Sequence, residues 1–522
     1  MSALKHILAW ALVIVASSGW ALAQNVPYER ILNADKTPQD WLTYGGDYQS
    51  HRFSGLTQIN KSNVATLRPV WIFQRSQLNG EFFEATPVVA DGLMYIVEPP
   101  STVTALDART GMKIWSWSPK MPKDVKYIGL HANNRGIAIL DDMVYVGTLD
   151  CHLAALDAKT GALRWIIEVE KNSDNHAISG NPLAIDGKII MGTGGGDRDA
   201  RGLLDAYDAK TGKRLWRVWT VPNKGEEGAD TWGDAVPNGG DVWNGGSYDP
   251  ELNLLYYGTG NPSPAFGGQT RPGDNLYTCS LLAIDANTGK IKWHFQFTPH
   301  DIHDWDATQI PVLIDSTIAG KPRKLVAMAN RNGFYYVLDR VTGEFIAGAP
   351  YISQNWAKGL DEKGRPILLP SYYPAPTGTL TNPSTSGANN WTAPAYDPEN
   401  KLFYESAREL SAVFTPTGSN FQSGDDAYGA IRALDSTTGK QKWQYRMLAP
   451  GWVSTLATAG GLVFSGDDEG DFFALNADTG KLLWSFPLSG LDPRDSPVTY
   501  FVGGKQYVVI SSINIYAAFG LP

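Results

Sequence analysis

Short runs of alternating apolar and polar residues recur along the chain, and each run ends in the same way. In "VTALDARTGMKIW", an apolar run closes with Asp, turns through Thr-Gly and enters a second apolar run that carries Trp115. Alternation with a period of two residues predicts β-strands, and a glycine free to take positive φ suits a tight turn between them. Each copy is therefore predicted to be a β-hairpin.

This hairpin unit repeats from one end of the chain to the other. The strand-closing positions of the eight copies are Trp71, Trp115, Trp165, Trp216, Trp293, Ala347 (a degenerate copy, "YYVLDRVTGEFIA"), Trp443 and Trp484. No long stretch has the 3.6-residue period of a helix, so the sequence predicts an all-β protein. The repeat aspartates, such as Asp107, Asp157 and Asp208, are interpreted as turn residues.

The two ends of the chain are predicted to share one sheet. The segments "RPVWIFQ" near the N-terminus and "YFVGGKQYVVISSI" near the C-terminus would together supply four strands. This arrangement predicts an eight-bladed β-propeller, a ring closed by the N- and C-terminal strands, with each repeat tryptophan docked between neighbouring blades. The longer gaps at 217–281 and 348–430 are expected to hold loops that cap one face.

The N-terminus has the pattern of a secretory signal peptide. Lys5 precedes an apolar run, and an Ala-Leu-Ala site ends at Ala23. We therefore expect residues 1–23 to be removed and residues 24–522 to form one propeller in the periplasm. An uncleaved membrane anchor is the alternative, although the apolar run is short for a span. No later segment is predicted to cross a membrane.

The composition of the chain bears on three questions: whether it binds nucleic acid, whether it forms a disulfide and whether it carries haem. The formal net charge of −9 and the pI near 5.4 disfavour a nucleic-acid partner. Cys151 and Cys279 lie in strand-like runs and are predicted to be buried thiols, with a disulfide between them as the alternative. The sequence has no C-x-x-C-H motif, so no c-type haem is expected on this chain.

One stretch concentrates charge in a chain that is only 19% charged: "TPHDIHDWD" at 298–306. It could be a solvated turn, a metal site or an active site. In an extended segment Asp304 and Asp306 would share a face, with Trp305 behind. Two carboxylates about 4 Å apart repel by roughly 4 kcal/mol at an effective dielectric of about 20, so a hard cation would stabilise the pair. His300 and His303 could ligate zinc, but no Cys/His cluster supports that, and we expect them to be structural or at the edge of the pocket.

The repeat resembles that of the quinoprotein alcohol dehydrogenases, the pyrroloquinoline quinone (PQQ) enzymes of the methanol/ethanol dehydrogenase family. The resemblance extends from "DWLTYGGDYQSHRFSGLTQINKSNV" to the last repeat. It implies a periplasmic enzyme that oxidises an alcohol by hydride transfer to metal-bound PQQ. The alternative is a cofactor-free propeller scaffold that binds other proteins of the cell envelope. The residues of the cofactor pocket distinguish the two.

Many pocket residues of that family have counterparts in this chain. In "GDVWNGGSYDPELNLLYYGTGNPSP", Trp243 matches the indole beneath the quinone and Asn261 an amide ligand of the metal. Asp304 matches the catalytic base, and Arg331 matches the residue that bonds the quinone oxygens. The other implied cofactor contacts are Glu84, Arg135, Ser179, Gly195, Gly196, Asn390 and Trp452. The implied metal ligands are Asp197, Asn261, Asp304 and Asp306.

Two positions depart from the family pattern. The adjacent cysteines that usually form a ring over the cofactor are replaced by Gly129 and Leu130, so Leu130 or His131 is expected to cover the quinone. The metal-binding glutamate is replaced by Asp197, which is one methylene shorter, in "GTGGGDRDARG". That loop resembles a phosphate loop, but it lacks the Lys-Ser/Thr pair and a following helix.

The identity of the metal depends on Asp306. In the methanol dehydrogenase branch an aspartate two residues after the catalytic one accompanies lanthanide use, whereas the calcium enzymes carry a small residue there. Glucose-type relatives can carry the aspartate without a lanthanide. The resemblance therefore favours a lanthanide(III) ion over Ca²⁺, with Ca²⁺ still open. It also implies a separate soluble cytochrome c as electron acceptor, and it leaves open which alcohol or sugar is oxidised.

Overall fold

The structure is a computed structural model that describes residues 25–75, 82–126, 132–422, 426–488 and 494–522. The predicted signal peptide with its cleavage site, and the residues expected to cover the cofactor at 129–131, lie outside these ranges.

Within these residues the protein is rich in strands and poor in helix, which confirms the all-β prediction. The described ranges contain one α-helix, α1, which spans Tyr28–Leu32. The 3₁₀-helices are Ala34–Lys36, Val64–Thr66, Asn172–Asp174, Gly196–Arg198, Ala229–Trp232 and Pro370–Tyr372. None of the helices in the described ranges has the length and apolar character needed to cross a bilayer.

The strands are short and follow one another closely. In chain order they are β1 (Phe53–Ser54), β2 (Arg68–Gln74), β3 (Val88–Ala90), β4 (Leu93–Glu98), β5 (Thr102–Asp107), β6 (Lys113–Trp117), β7 (Ala138–Leu140), β8 (Met143–Gly147), β9 (His152–Asp157), β10 (Leu163–Glu168), β11 (Leu183–Ile185), β12 (Lys188–Gly192), β13 (Leu203–Asp208), β14 (Arg214–Trp219), β15 (Ser247–Asp249), β16 (Leu254–Gly258), β17 (Ser280–Asp285), β18 (Ile291–Gln296), β19 (Val312–Ile318), β20 (Lys321–Ala329), β21 (Phe334–Asp339), β22 (Phe345–Pro350), β23 (Ala357–Leu360), β24 (Pro366–Leu368), β25 (Thr379–Thr381), β26 (Ala395–Asp397), β27 (Leu402–Glu409), β28 (Ser411–Thr415), β29 (Gly418–Gln422), β30 (Tyr428–Asp435), β31 (Gln441–Met447), β32 (Leu456–Thr458), β33 (Leu462–Gly466), β34 (Asp471–Asn476), β35 (Leu482–Pro487), β36 (Val498–Val502), β37 (Lys505–Ser512) and β38 (Ile515–Gly520).

Eight sheets among the described residues contain a set of four antiparallel strands. They are sheet 1 (β3–β6), sheet 2 (β7–β10), sheet 3 (β11–β14), sheet 4 (β15–β18), sheet 5 (β19–β22), sheet 6 (β26, β27, β30, β31), sheet 7 (β32–β35, with β1 as a parallel edge strand) and sheet 8 (β2, β38, β37, β36). In sheet 8, β2 pairs antiparallel with β38, so the two ends of the chain share a sheet as predicted. That these sheets form a closed ring of eight blades stays a prediction.

Two smaller sheets come from the 348–430 gap. They are β23–β24 and the three-stranded sheet β25–β28–β29. The long gap therefore holds additional strands as well as loops.

The repeat tryptophans lie in the fourth strand of each set and join it to the next sheet. Each indole Nε1 donates a hydrogen bond to a main-chain carbonyl oxygen. The pairs are Trp71–Ala108, Trp115–Ala158, Trp165–Ala209, Trp216–Ala286, Trp293–Arg340, Trp443–Ala477 and Trp484–Leu67, at 3.0 to 3.2 Å. Sheet 5, whose repeat has Ala347 in place of tryptophan, uses the Tyr335 hydroxyl, which donates to the carbonyl of Ser436 at 2.9 Å.

Contacts within the hairpin turn explain why the Asp, Thr and Gly residues of the repeat recur. Asp157 Oδ1 accepts hydrogen bonds from the backbone N–H and the hydroxyl of Thr160, at 2.8 and 2.7 Å, which closes the turn. Gly161 has φ +72°, and a Cβ there would lie 2.5 Å from Cε3 of Trp115. Only glycine permits both this backbone and the contact of the turn with the tryptophan of the preceding sheet.

The core lies between the sheets. In sheet 2, for example, the second strand, β8, is buried along its length, whereas the fourth strand, β10, has only exposed and half-buried positions. Cys151 and Cys279 are both free and buried, as predicted. They occupy turn positions with positive φ immediately before β9 and β17, rather than the strands themselves.

Candidate active site

A cavity of about 490 Å³ lies where the eight four-stranded sets present the segments that lead into their first strands. In order from sheet 1 to sheet 8, those segments contribute Glu84, Arg135, Ser179, Trp243, Asp304 with Asp306, Asn390, Trp452 and Arg494. The links between second and third strands add Asp197 in sheet 3, Asn261 in sheet 4 and Arg331 in sheet 5. One repeated position of the fold thus brings together residues that are far apart in sequence.

Every residue in the described ranges that the sequence predicts as a cofactor contact, metal ligand or catalytic group lines this cavity. Five of them form a continuous chain of polar contacts. Asn261 Nδ2 donates to Asp197 Oδ1 at 3.1 Å, and the Asn261 backbone N–H donates to Asp306 Oδ1 at 2.7 Å. Arg331 then connects Asp306 to Asp304: Nη1 pairs with Asp306 Oδ2, and Nη2 lies 3.2 Å from Asp304 Oδ2.

The backbone around Asp304 differs from the extended segment predicted from the sequence. Asp304 has φ +64°, in the left-handed region. The carboxylate of Asp301 accepts the backbone N–H groups of Trp305 and His303, at 3.0 and 3.3 Å, and so folds this segment into a turn. Asp304 and Asp306 do face one cavity with Trp305 fully buried behind them. The prediction of a shared face was right, but a turn produces it rather than strand geometry.

The carboxylates of this cavity are difficult to ionise together. Burial, reinforced by Asp306 and Asp197, raises the pKa of Asp241 to about 8. Burial also raises the pKa of Asp306 to about 6 and that of Asp304 well above its usual range, although Arg331 opposes both shifts. Burial alone would lower the pKa of Arg331, but Asp304 and Asp306 raise it. All of these carboxylates can therefore be ionised together only with additional positive charge beside them.

The two histidines of "TPHDIHDWD" have structural roles. His303 is fully buried and stacks on Trp305, with ring centroids 4.3 Å apart and planes within 14°. Burial lowers its pKa to about 3. His300 contacts the carbonyl oxygen of Gly273 through Nδ1 at 2.8 Å. Neither histidine lines the cavity, in agreement with the structural interpretation.

On the side of the cavity where the cofactor is expected, the guanidinium of Arg135 lies between the indoles of Trp243 and Trp391. Arg135 Cζ lies 4.9 Å from the ring centroid of Trp243 and 5.2 Å from that of Trp391. Its Nη2 pairs with Glu84 Oε2 at 2.9 Å. Arg135 thus covers one face of Trp243, the indole on which the sequence expects the quinone. Bound cofactor would share the space beside this cation.

Other predicted contacts have partners within the protein. Ser179 Oγ reaches only the carbonyl of Trp243, at 3.5 Å, and Asn390 Nδ2 donates to Ser386 O at 3.2 Å. The N–H groups of Gly195 and Gly196 donate to Asp241 Oδ2 at 2.9 and 3.0 Å. These two glycines border the cavity, but their N–H groups do not point into it.

Sequence reasoning missed several residues of the cavity wall. Trp391 and Arg494 stand next to predicted residues or at the repeated position before a first strand, so an alignment of the repeats could have found them. Asn133 lies two residues before Arg135 and is 3% exposed, and neither polar atom of its amide has a hydrogen-bond partner in the described part of the chain. Asp241 carries no sequence signal, because its place depends on how two distant loops pack.

The residues present fit an acidic, planar cofactor beside a hard cation. Flat indoles and arginines border one end, and carboxylate and amide oxygens, the donors that hard cations prefer, border the other. Among the described residues, no three His, Cys, Asp or Glu side chains already converge as ligands of one ion. The guanidinium of Arg331 lies between Asp304 and Asp306 and supplies the positive charge there.

Family profiles and individual relatives match the sequence of this chain. The family profile "PQQ: Glucose/ethanol/alcohol dehydrogenase, beta-propeller domain" matches residues 41–351, and the profile "Outer membrane protein assembly factor BamB" matches residues 427–517. The "Quinoprotein alcohol dehydrogenase PedH" of Pseudomonas putida is 37% identical over 540 residues, which cover 96% of this chain and 90% of PedH.

Solved structures agree with the sequence comparison. The quinohemoprotein alcohol dehydrogenase ADHIIG from Pseudomonas putida HK5 superposes with a TM-score of 0.90 at 36% identity, covering 96% of this chain and 82% of that one. A "Europium-containing methanol dehydrogenase" superposes with a TM-score of 0.88 at 28% identity, covering 94% of this chain and 100% of that one. The likeness to enzymes spans nearly the whole chain, so the scaffold alternative is not favoured.

Proposed function

The chain belongs to the PQQ-dependent alcohol dehydrogenases, quinoproteins that oxidise CH–OH donors, and on this premise we propose that it oxidises an alcohol to an aldehyde or ketone in the cavity lined by Trp243, Asp304 and Arg331. The observation that carries the proposal is the polar chain from Asp197 through Asn261, Asp306 and Arg331 to Asp304 on the wall of that cavity.

Asp304 is the general base. Its Oδ2 atom accepts hydrogen bonds from Arg331 Nη2 and from the hydroxyl of Thr385, both at 3.2 Å, so the carboxylate is held at the cavity wall while part of its side chain stays accessible. In this position it takes the proton of the substrate hydroxyl. Burial raises its pKa, and Arg331 opposes that shift and favours the ionised form that a base requires.

Arg331 stabilises negative charge that develops beside it. Its Nε and Nη2 atoms donate to the carbonyl oxygen of Thr385, at 3.1 and 2.6 Å, which fixes the guanidinium plane. A fixed guanidinium needs no reorganisation as charge builds up on an oxygen atom next to it. PQQ, if bound here, would supply a hydride acceptor, and a hard cation would supply Lewis-acid polarisation.

Asp197, Asn261, Asp304 and Asp306 would hold that cation. All four line the cavity, and their oxygens are hard donors. Asp306 adds a negative charge beside Asp304, which favours a trivalent lanthanide ion over Ca²⁺. A bound cation would lower the pKa of these carboxylates and release Arg331 from neutralising both of them. Glu84, Arg135, Ser179, Gly195, Gly196, Trp243, Asn390 and Trp452 would border the cofactor.

We also infer that the eight sheets are the blades of a closed ring. The support is that the inter-sheet hydrogen bonds return to their start: Trp484 of sheet 7 donates to Leu67, which leads into β2 of sheet 8, and Trp71 of β2 donates to Ala108 of sheet 1. The proposal further includes secretion to the periplasm through a signal peptide at residues 1–23, one propeller domain at 24–522, and a separate soluble cytochrome c as electron acceptor.

Reconstitution tests the function directly. The purified protein is stripped of metal with a chelator, then titrated with PQQ in the presence of LaCl₃ or CaCl₂. We expect quinone absorbance that stays with the protein through gel filtration, and dye reduction with at least one alcohol of a panel of primary, secondary and sugar alcohols. No retained quinone and no dye reduction with any alcohol would overturn the proposal in favour of the scaffold. Higher activity with Ca²⁺ than with La³⁺ would overturn only the choice of metal.

A further inference from the structure

A buried carboxylate that the proposed mechanism does not use lies within the same cavity. Asp241 is 6% exposed and lies six residues before β15. Its Oδ2 atom accepts the N–H groups of Gly195 and Gly196. Its Oδ1 atom accepts no hydrogen bond from any residue that the structure describes, and the side chain borders the cavity. One oxygen of Asp241 is therefore anchored, while the other faces the space in which the cation is proposed.

Glycines surround this carboxylate closely. A Cβ at residue 196 would lie 2.4 Å from Asp241 Oδ1. At residue 260 it would lie 2.2 Å from Asp241 Oδ1 and 2.9 Å from Asp306 Oδ1. The two carboxylates thus border one small space from which side chains are excluded. Close backbone packing on both sides and the two hydrogen bonds to Oδ2 hold the Asp241 carboxylate in this direction.

Nothing in the described part of the chain neutralises Asp241. It forms no ion pair, and the charged side chains that act on it most strongly, Asp306 and Asp197, carry the same sign of charge. Arg331, the cation that forms ion pairs in this cluster, is already shared by Asp304 and Asp306. An ionised carboxylate without a counter-charge is costly to bury, so this position requires either a proton or a cation.

We propose that Asp241 is an additional ligand of the cation, supplying Oδ1 beside Asp197 and Asp306. This inference rests on the proposed function, because it concerns the same ion. Asp197 is shorter than the glutamate that the family resemblance implies at its position, and the carboxylate of Asp241 supplies an oxygen where the shorter side chain leaves room. With Asp304 the cluster would present four carboxylates, and this high ligand charge favours a trivalent over a divalent ion.

Terbium luminescence tests the ligand role without any turnover. The protein is titrated with Tb³⁺, whose emission is excited through tryptophan, and lifetimes in H₂O and D₂O give the number of water molecules on the ion. The test variant is Asp241→Asn. Its single carbonyl oxygen is needed to accept the N–H groups of Gly195 and Gly196, so its NH₂ group would face the ion and could not ligate it. We expect Tb³⁺ to bind about tenfold or more weakly and to carry one additional water.

Asp495→Asn is the matched control. Asp495 is also fully buried, its pKa is raised to about 7 by burial, and it does not line the cavity. Its neutralisation should leave the water number unchanged and alter the Tb³⁺ affinity by less than about threefold. Asp241→Ser, a smaller neutral side chain, guards against a packing artefact at Asn. Circular dichroism should confirm that each variant is folded before titration.

The outcomes separate this inference from the proposed function. If the unaltered protein binds Tb³⁺ and both Asp241 variants match it in affinity and water number, Asp241 is not a ligand and the proposed function stands. If the unaltered protein binds no Tb³⁺, the proposed metal site fails and the role of Asp241 fails with it. An equal loss in the Asp495 control would show a general charge effect and would overturn the ligand role as well.

Discussion

Arg331 and Asp306 form an ion pair in which each side chain is only 7% exposed. The other guanidinium nitrogen, Nη2, reaches Asp304, and Nε reaches the carbonyl of Thr385. One planar group therefore holds the proposed base and the proposed metal-selecting aspartate in a fixed relationship. Lysine could not reproduce this, since it carries a point charge on a flexible stem.

Arg331→Lys should consequently impair turnover far more than cofactor binding. We expect kcat to fall by about 10² to 10³, the cost of removing one preorganised donor to developing charge. PQQ retention after gel filtration should change little. The measurement is dye-linked kinetics at saturating PQQ and metal, with Arg323→Lys, a partly exposed arginine paired with Asp339 outside the cavity, as the control. Unchanged kcat in Arg331→Lys would exclude the proposed role.

Asp304→Asn should abolish most turnover while the fold remains intact. The amide keeps the size of the carboxylate but cannot accept the hydroxyl proton, and loss of a general base costs about 10² to 10⁴ in rate. Because Asp304 is also a proposed metal ligand, the assay needs saturating metal and a measured PQQ occupancy. A variant that turns over at the full rate with the same occupancy would show that another group is the base.

Asp306→Ala should separate the two candidate metals. Removing this carboxylate lowers the ligand charge, which matters more for a trivalent than for a divalent ion, so lanthanide-supported activity should fall by about tenfold more than calcium-supported activity. The same change frees Arg331 from its ion pair, and a loss common to both metals is expected from that. The informative quantity is therefore the La³⁺/Ca²⁺ activity ratio, and a ratio equal to that of the unaltered protein would argue against lanthanide selection by Asp306.

The hairpins could be predicted from sequence because their determinants are local. Asp157, Thr160 and Gly161 close one turn among themselves, and the alternating runs on either side form the strands. The candidate site could be assembled only because the resemblance to a known family identified its members. Neither the local pattern nor the family resemblance identified Asp241. Its contact with Gly195 and Gly196 depends on the packing of two loops that are 45 residues apart in sequence. Asp304 shows a third limit, because periodicity cannot reveal a single residue with positive φ inside an apparently extended stretch.

Gly161→Ala should destabilise the protein more than Gly187→Ala. Both glycines have nearly the same φ, +72° and +73°, so the left-handed backbone conformation should destabilise alanine by a similar 1 to 2 kcal/mol, roughly, at each position. Only at residue 161 would the new methyl group collide with Trp115, whereas residue 187 has no atom within 4 Å of the added Cβ. The additional loss should be about 1 to 3 kcal/mol in the free energy of unfolding, measured by urea titration. Equal losses would mean that the turn does not support the docked tryptophan.

His303→Phe should make the protein more resistant to acid. His303 is surrounded by the rings of Trp305, Tyr372 and Phe414, and neither of its ring nitrogens has a hydrogen-bond partner among the residues that the structure describes. Its pKa is lowered to about 3 in the fold, against about 6.5 in the unfolded chain. As pH falls from about 6.5 towards about 3, the unfolded chain takes up the proton first, and the unaltered protein loses up to about 1.4 kcal/mol per pH unit from this residue. The variant lacks that loss, so its advantage in unfolding free energy should be small at pH 7.5 and grow steadily towards pH 4. An advantage of the same size at every pH would mean that packing alone, and not the neutral state of His303, is responsible.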